Sequence, residues 1–216
     1  FHMARGWSDM YPELQFFKDF PEGPRKVATF VTDIPNRGFA GGAIITKNPP
    51  TKNWEVSERF HPMYGKFTAS EDLTVVGRTM GYRAIEIYRY AEVLLIYAEA
   101  KAASGGFDAT ALTALNQVKR RAAGLDPDTP NAAVDATSAT VQDIIDEKGW
   151  ELAAEHKRWF DLVRTETLES AILKRDPTEQ VPLVRQPGKA QYISPIPAEA
   201  IATSKLVQNP QGFKVK

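Results

Sequence analysis

The chain has 216 residues, of which 43% are hydrophobic and 25% charged, a composition typical of a folded protein with a real core. Lysine plus arginine and aspartate plus glutamate number 27 each, so no net positive field is available to attract nucleic acid. The absence of cysteine excludes a disulfide scaffold, thiolate metal ligands and a cysteine nucleophile.

Residues 1–82 lack a long periodic apolar pattern, and proline and glycine interrupt them at short intervals. We expect a loop-rich lobe here, with a short helix over Pro12–Phe17 and strands over Val27–Val31 and Ala43–Thr46. The pairs Gly41–Gly42 and Gly105–Gly106 lack the flanking glycines and the lysine of a phosphate-binding loop. Both pairs therefore predict turns.

A helical pattern begins at Arg83 and defines a second region, residues 83–216. Apolar residues recur there at three- and four-residue steps, and glycine supplies a left-handed stop after each of two segments. The first inward stripe comprises Ile87, Tyr90, Ala91, Leu94, Leu95, Ala98 and Ala102, ended by Gly105. The second comprises Leu112, Leu115, Val118 and Ala122, ended by Gly124. The pattern predicts two antiparallel helices joined by a short turn.

The helix pair over Tyr88–Arg121 has the length and small-residue spacing of one tetratricopeptide unit, and the sequence holds no second copy. A single unit cannot bury both of its faces. We therefore expect the pair to pack on another surface, supplied by the rest of the chain or by a segment outside it. An isolated chain should expose apolar surface.

A third helix is predicted from about Thr140 to Thr167, after a loop over Asp126–Thr137. It carries Trp150 and Trp159, which its pattern places in the core. Beyond this helix the chain becomes irregular again and should end as a strap wrapped over the body. The fold class predicted for the whole chain is mainly α, with short strands confined to the lobe.

No motif indicates a catalytic or metal centre. His2, His61 and His156 are isolated from one another, with no metal-binding pair at helical spacing, so we expect no metal and no cofactor. The longest apolar run of the most hydrophobic segment, Val93–Ala98, is far shorter than the roughly 20 residues that a membrane-spanning helix needs.

Glu147, Glu151 and Glu155 fall at four-residue steps on one helical face, which brings carboxylates together as a glycosidase would. The two acids of a glycosidase, however, flank a cleft about 5–9 Å apart, which neighbours on one helix rarely do. We predict structural ion pairs instead. The expected pairs join Glu155 or Asp161 to Arg158 or Arg164.

Aromatic residues in the lobe are the candidates for ligand contact. Sugars stack their C–H faces on exposed rings, and amide, carboxylate or guanidinium groups beside the ring bond the hydroxyls. The alternative, at equal weight, is that each ring fills a small satellite core. The candidate ring contacts are Trp7, Tyr11, Trp54 and Tyr64, and the candidate hydroxyl partners are Asn36 and Arg37.

Four blocks of the second region resemble, in the correct order, the SusD/RagB family. Tyr88–Ala100 is similar to the signature helix of that family, and Leu115–Leu125 to its Asn-x-Val-Arg-x-Arg-Ala-Gly-Leu stretch. Trp150–Arg164 resembles its Arg-x-x-Glu-Leu-x-x-Glu-Gly-x-Arg-Trp-x-Asp-Leu-x-Arg helix, with His156 where glycine is common. The closing strap of the family is matched by Ile196–Ile201 and Gln208–Phe213.

The resemblance implies a SusD-like fold with a tetratricopeptide-like body, in a lipoprotein at the extracellular face of an outer membrane. It implies a non-enzymatic protein that binds oligosaccharides and delivers them to a SusC-like TonB-dependent transporter. Family members are usually much longer and carry a lipidated cysteine, so we expect this chain to be a C-terminal fragment. The alternatives are a helical protein-interaction module without glycan binding, a peptide-binding uptake component and, least favoured, a glycoside hydrolase.

Overall fold

The computed structural model describes residues 11–40, 43–56, 60–66, 86–179 and 188–208. The chain divides into two compact units, Phe1–Lys157 and Arg158–Lys216. The predicted boundary between lobe and helical region, at residues 82 and 83, lies outside the described residues and stays a prediction.

The first part of unit 1 is a lobe of short helices and two antiparallel strand pairs. Its elements are α1 (Leu14–Asp19), α2 (Pro24–Thr29), β1 (Phe30–Val31), β2 (Asp33–Ala40), β3 (Ala43–Asn53), a 3-10 helix (Trp54–Val56) and β4 (Met63–Tyr64). β1 pairs with β4, and β2 pairs with β3. The short helix predicted near Pro12 and the strand predicted at Ala43 are both found.

The strand predicted over Val27–Val31 is wrong for its first three residues, which belong to α2. Pro24 occupies the start of this helix, where its fixed φ suits helical backbone and its missing N–H costs nothing. Gly23 before it has φ 137°, a conformation that glycine adopts readily. The extended backbone therefore begins only at Phe30.

β2 and β3 form a long hairpin, with pairing that runs from Asp33 opposite Asn53 to Ala40 opposite Ala43. The register shifts between residues 35 and 37. The facing stretch of β3 contains Pro49–Pro50, which have no N–H to donate to a ladder. An irregularity in the pairing tolerates such residues, so β3 continues past the point where the prolines predict a break.

Residues 86–157 of unit 1, all of them described, form a body of three helices, α3 (Tyr90–Ala103), α4 (Ala109–Ala122) and α5 (Val141–Glu151). α3 packs against both of the others. Gly105 and Gly124 have φ 73° and 75°, so both predicted helix stops are confirmed. At the start of α4, the side chain of Asp108 accepts two backbone N–H groups, and Thr140 begins α5 with a capping box.

The core of the body combines aliphatic side chains from all three helices. Its most buried members, each at most 2% exposed, are Leu95, Ala98, Leu115, Val118 and Ile144. Burying each large one contributes about 1.5–3 kcal/mol. The predicted stripes are right at Leu95, Ala98, Leu115 and Val118 but wrong at Ile87 and Tyr90, each 71% exposed. Ile87 precedes α3, and Tyr90 lies at its first residue on the side away from the core.

The helix predicted over Thr140 to Thr167 ends instead at Glu151. A turn over residues 152–156 follows, in which Ala154 and His156 have φ 64° and 61°. This left-handed backbone cannot continue a right-handed helix and is unfavourable for residues that carry a Cβ. Glycine is common at the position of His156 in the family that the chain resembles, and glycine adopts left-handed backbone without that penalty.

Unit 2 contains α6 (Arg158–Arg164), α7 (Leu168–Leu173) and α8 (Ala198–Ser204), with 3-10 helices over Pro177–Glu179 and Lys189–Tyr192. Arg164 Nη2 donates to Asp161 Oδ1 at 2.6 Å, which confirms that predicted pair. Trp159 is 47% exposed, so its predicted core placement is wrong. The interruption of the predicted helix destroys the register that aligned its ring with the inward residues.

α8 forms within the tail that was predicted to be irregular, and the strap from Asn209 onwards lies outside the described residues. Across the ranges that the structure describes, no helix combines the length and the apolar character needed to cross a bilayer. The predicted mainly α class is confirmed.

Candidate functional site

Aromatic rings of the lobe form a connected cluster around Phe30. Phe17 and Phe20 meet its ring edge-on, with centroids 5.1 and 5.0 Å away, and Tyr64 lies at 5.6 Å. Each such contact adds about 0.5–1.5 kcal/mol beyond the burial of area. Trp150, near the end of α5, packs against the same cluster, so the rings fasten the lobe to the helical body.

Trp54 extends this cluster toward the surface of the lobe. Its ring meets Phe17 at 5.7 Å and Phe60 at 5.8 Å, both edge-on, and the residue is only 8% exposed. Phe60 is 49% exposed and has φ 54°. Trp54 therefore occupies a core position, and the ring that it supports at the surface is Phe60.

Tyr11 and Tyr64 are partly buried in the same lobe. The ring of Tyr11 lies 5.3 Å from that of His61, at a tilt of 44°. Burial raises the pKa of Tyr64 to about 12. The Tyr64 hydroxyl therefore keeps its proton at neutral pH and can act as a hydrogen-bond donor.

Asn36 and Arg37 belong to β2, in the hairpin that leads directly into Trp54. The hairpin is tied to the lobe where the Trp54 backbone N–H donates to the carbonyl of Thr32 at 2.8 Å. The side chains of Asn36 and Arg37 lie outside the described part of the structure, as does all of Trp7. The six predicted contacts stay predictions. Three of them, Tyr11, Trp54 and Tyr64, have side chains in the described part of the lobe.

Phe60 is an exposed ring of the lobe that the sequence analysis missed. A signal for it exists, since it stands in a non-helical segment before His61–Pro62, the same context that selected the other candidate rings. Asn53 and Glu55 flank the supporting tryptophan and are exposed. An exposed ring with amide and carboxylate neighbours is an arrangement that can hold a sugar.

A second group of residues that could take part in chemistry is a network of buried ion pairs around the acids of α5. The side chain of Glu151 is 1% exposed and pairs with Arg25 at 3.2 Å, with Arg89 at 3.0 Å and with Arg121. Glu147 pairs with Arg25 at 2.5 Å. Cations from α2, from the residue before α3 and from α4 thus converge on two acids of α5.

Glu155 continues the network across the turn. Arg89 donates through Nε and Nη2 to its two carboxylate oxygens, at 2.8 and 2.7 Å, and Lys66 pairs with it as well. Lys66 Nζ also donates to the carbonyls of Glu151 and Ala153, at 2.7 and 3.4 Å. These partners are remote in sequence, so helical spacing could not predict them.

The electrostatics of the network favour a structural role. Burial alone would raise the pKa of Glu155, but hydrogen bonds from Arg89 and Lys66 and the charges of both leave it below the ordinary value. Burial lowers the pKa of Lys66 despite its bond to Glu155. A glycosidase acid must hold its proton near neutral pH, which requires a raised carboxyl pKa. The pKa of Glu155 is lowered instead, so its carboxyl is ionised at neutral pH.

Metal sites and clefts elsewhere in the described residues complete the search for ligand sites. Among the residues that the structure describes, no group of histidine, aspartate and glutamate side chains could hold a metal ion. Two clefts have volumes of about 330 and 340 Å³; Asp143 and Trp150 help to line the first, and Tyr90 and Arg121 the second. Neither cleft includes a predicted sugar contact.

A model of the SusD family matches residues 37–212. Among solved structures, a SusD superfamily protein from Parabacteroides distasonis is 25% identical with a TM-score of 0.63, over 99% of this chain and 45% of its own. A SusD homolog from Bacteroides thetaiotaomicron, 19% identical with a TM-score of 0.52 over 92% of this chain and 42% of its own, shares the fold. No curated protein matches. The chain thus spans less than half the length of these solved proteins, and the predicted SusD-like fold is confirmed.

Proposed function

This chain belongs to the SusD family, and on that premise we propose that it binds oligosaccharide at the cell surface and delivers it to a SusC-like TonB-dependent transporter. The family match over residues 37–212 carries the proposal, because it covers most of the chain. On the same premise we propose that the protein lies at the extracellular face of the outer membrane and binds its ligand without catalysis. The lowered pKa of Glu155 argues against this residue as a glycosidase acid.

The lobe is the sugar-contact surface that the geometry favours. Phe60 supplies an exposed ring, and its contact with the buried Trp54 at 5.8 Å holds that ring in place before any ligand arrives. A pre-positioned ring loses little conformational entropy on binding. Asn53 and Glu55, with Asn36 and Arg37 of the hairpin, are the proposed partners for sugar hydroxyls.

Replacement of Phe60 tests this surface. A single site that is open to solvent should bind an oligosaccharide with a dissociation constant in the millimolar to micromolar range, which is a binding free energy of about −4 to −8 kcal/mol. Phe60→Ala should weaken calorimetric binding of an oligosaccharide found on a glycan array by about 1–3 kcal/mol, as for aromatic residues at interface centres. Val56→Ala is the matched control, since Val56 is also exposed on this lobe but presents no ring; its affinity should stay unchanged.

Two outcomes would contradict the proposal at different levels. Equal binding by the Phe60→Ala and wild-type proteins would exclude this ring as the platform. A folded protein that retains no glycan on the array would overturn oligosaccharide binding itself.

Delivery and the absence of catalysis require separate measurements. The protein should release no reducing ends from the oligosaccharide that it binds, and it should co-purify with an outer-membrane transporter expressed beside it. Hydrolytic turnover that disappears in Glu155→Gln, with stability intact, would make the binding role wrong.

A further inference from the structure

The first of the two clefts is formed by α4, by α5 and by the loop between them. Its volume is about 330 Å³, within the range of about 300–1,000 Å³ that small-molecule sites occupy. Three carboxylates line it, those of Asp143, Asp146 and Glu147, and the loop adds the hydroxyl of Ser138. The cleft thus combines the size of a ligand site with an excess of hydrogen-bond acceptors.

Glu147 has an unused acceptor in this cleft. Its side chain is only 4% exposed, and its Oε1 accepts a hydrogen bond from Arg25 Nη1 at 2.5 Å. Its Oε2 has no hydrogen-bond partner in the part of the chain that the structure describes. A carboxylate oxygen with so little access to solvent is costly to leave without a donor. A molecule bound in the cleft can supply that donor.

Trp150 forms an aromatic wall of the same cleft. Its ring packs against the cluster of Phe20 and Phe30, which holds it in place. A ring fixed in this way can stack on the C–H face of a sugar, and its π face attracts a cationic nitrogen. Because Trp150 follows Glu147 by three residues on α5, the two side chains are neighbours on the helix surface and can contact the same ligand.

The acids of the cleft suit an organic cation better than a metal ion. Within the described ranges, no group of histidine, aspartate and glutamate side chains could hold a metal. Thr140 donates through its backbone N–H and its hydroxyl to Asp143 Oδ2, at 2.8 and 2.7 Å, and these bonds hold the pKa of Asp143 below its ordinary value. Asp143 is therefore ionised. A charged donor bonds a carboxylate more strongly than a neutral one, so a protonated amine is the favoured ligand group.

The donors of the cleft exclude a ligand that can only donate. Lys119 lines the cleft from α4 and has no ion-pair partner among the described residues, and the indole N–H of Trp150 has no acceptor among them. A lysine or arginine side chain of another protein would offer these groups no oxygen, and Lys119 would repel it. An amino sugar offers hydroxyl oxygens together with its ammonium group.

We propose that this cleft binds an amino sugar with a free, protonated amine, its ammonium group against Glu147 and Asp143 and its ring on Trp150. The site lies on the helical body and is distinct from the Phe60 surface of the lobe. The inference rests on the proposed function, because the amino sugar would be part of the oligosaccharide that the protein binds. It names the ligand class as oligosaccharides that contain unacetylated amino groups.

A short glucosamine oligosaccharide and its fully N-acetylated counterpart test the amine, because acetylation removes the positive charge and leaves the sugar ring. Calorimetry at slightly acid pH, where the amines are protonated, should give the 216-residue chain a preference of about tenfold or more for the glucosamine form. Glu147→Gln should remove most of this preference. Glu22→Gln is the matched control, since it makes the same substitution at a side chain that is 86% exposed and lies outside the cleft; its preference should equal that of the wild type.

Ser138→Phe tests the cleft even if Glu147→Gln does not fold. Ser138 is exposed at the wall of the cleft, so a phenyl ring there should obstruct the site and leave the pair of Glu147 with Arg25 in place. The preference for the glucosamine form should again be lost. Phe60→Ala should weaken the binding of both oligosaccharides and leave the ratio of their affinities unchanged.

Three results would overturn this inference and leave the proposed function standing. They are equal affinity of the wild-type chain for the two oligosaccharides, a preference that persists in folded Glu147→Gln or Ser138→Phe protein, and displacement of the glucosamine form by a lysine-rich peptide. The last result would assign the cleft to a protein partner. Failure of the chain to bind any oligosaccharide would instead overturn the proposed function and this site together.

Discussion

The lobe and the three-helix body of unit 1 are held together by different forces. In the lobe, elements of two to eleven residues are too short to enclose a core, and the rings around Phe30 supply its packing. In the body, long helices enclose aliphatic side chains. Ion pairs lie at the junction, since Arg25 and Lys66 of the lobe pair with Glu147 of α5 and with Glu155 just after it. Apolar contact thus gives each region its stability, and buried ion pairs define how the regions join.

Breaking the network at its centre should have the largest effect. Glu151→Gln would leave Arg25, Arg89 and Arg121 without their shared carboxylate in a buried place, which should cost about 3–5 kcal/mol in the free energy of unfolding. Chemical denaturation of purified protein measures this loss. Glu22→Gln is the control, because the pair of Glu22 with Lys26 lies at the surface, and its loss should cost less than about 1 kcal/mol. An equal loss of unfolding free energy in the two variants would mean that the buried network stabilises the fold no more than a surface ion pair does.

Removing a ring from the lobe should cost somewhat less. Trp54→Ala creates a cavity beneath Phe60 and loses the contact with Phe17, so we expect a loss of about 3 kcal/mol. Phe60→Ala should cost no more than about 1 kcal/mol, because that ring is half exposed. Thermal unfolding compares the two variants. The reverse order of effects would mean that Phe60, and not Trp54, forms part of the core.

The loss of folding stability at acid pH should depend on Glu155. Because its folded-state pKa is below the ordinary value of 4.5, the stabilisation from Glu155 is complete above pH 4.5 and is lost as the pH falls through the lowered pKa. Glu155→Gln should reduce stability near neutral pH and make the decline below pH 4.5 shallower. Urea denaturation at several pH values measures how the free energy of unfolding of each protein falls with pH. An equally steep decline below pH 4.5 in the variant and the wild type would contradict the stabilising role of the Glu155 carboxylate.

The smallest expected effect is a gain in stability at the turn that follows α5. His156→Gly removes a Cβ penalty of about 1–2 kcal/mol in left-handed backbone, partly offset by the greater freedom of glycine in the unfolded chain, about 0.5–1 kcal/mol. The net gain should be about 0.5–1 kcal/mol. Lys119→Gly, within α4, should instead lose about 1 kcal/mol. A loss in both variants would indicate that the His156 side chain contributes more than the strain it causes.

The sequence determined by itself whatever depends on neighbours along the chain. Periodic apolar residues located α3 and α4, glycine located their ends, and the three-residue spacing of Asp161 and Arg164 predicted an ion pair that the structure contains. The ordered motifs likewise indicated the family. These features are local because a helix repeats every few residues.

Only the tertiary structure decided which residues meet across long separations. It brought Arg25, Lys66 and Arg89 to Glu151 and Glu155. It also buried Trp54 while exposing Phe60 and Trp159, and it ended the third helix at Glu151. No periodic pattern encodes such contacts, because their free energy arises only when segments far apart in sequence exclude water from the same place. The sequence can show that a charged residue will be paired or that a ring will be buried. Which residues form the pair or bury the ring depends on the tertiary packing.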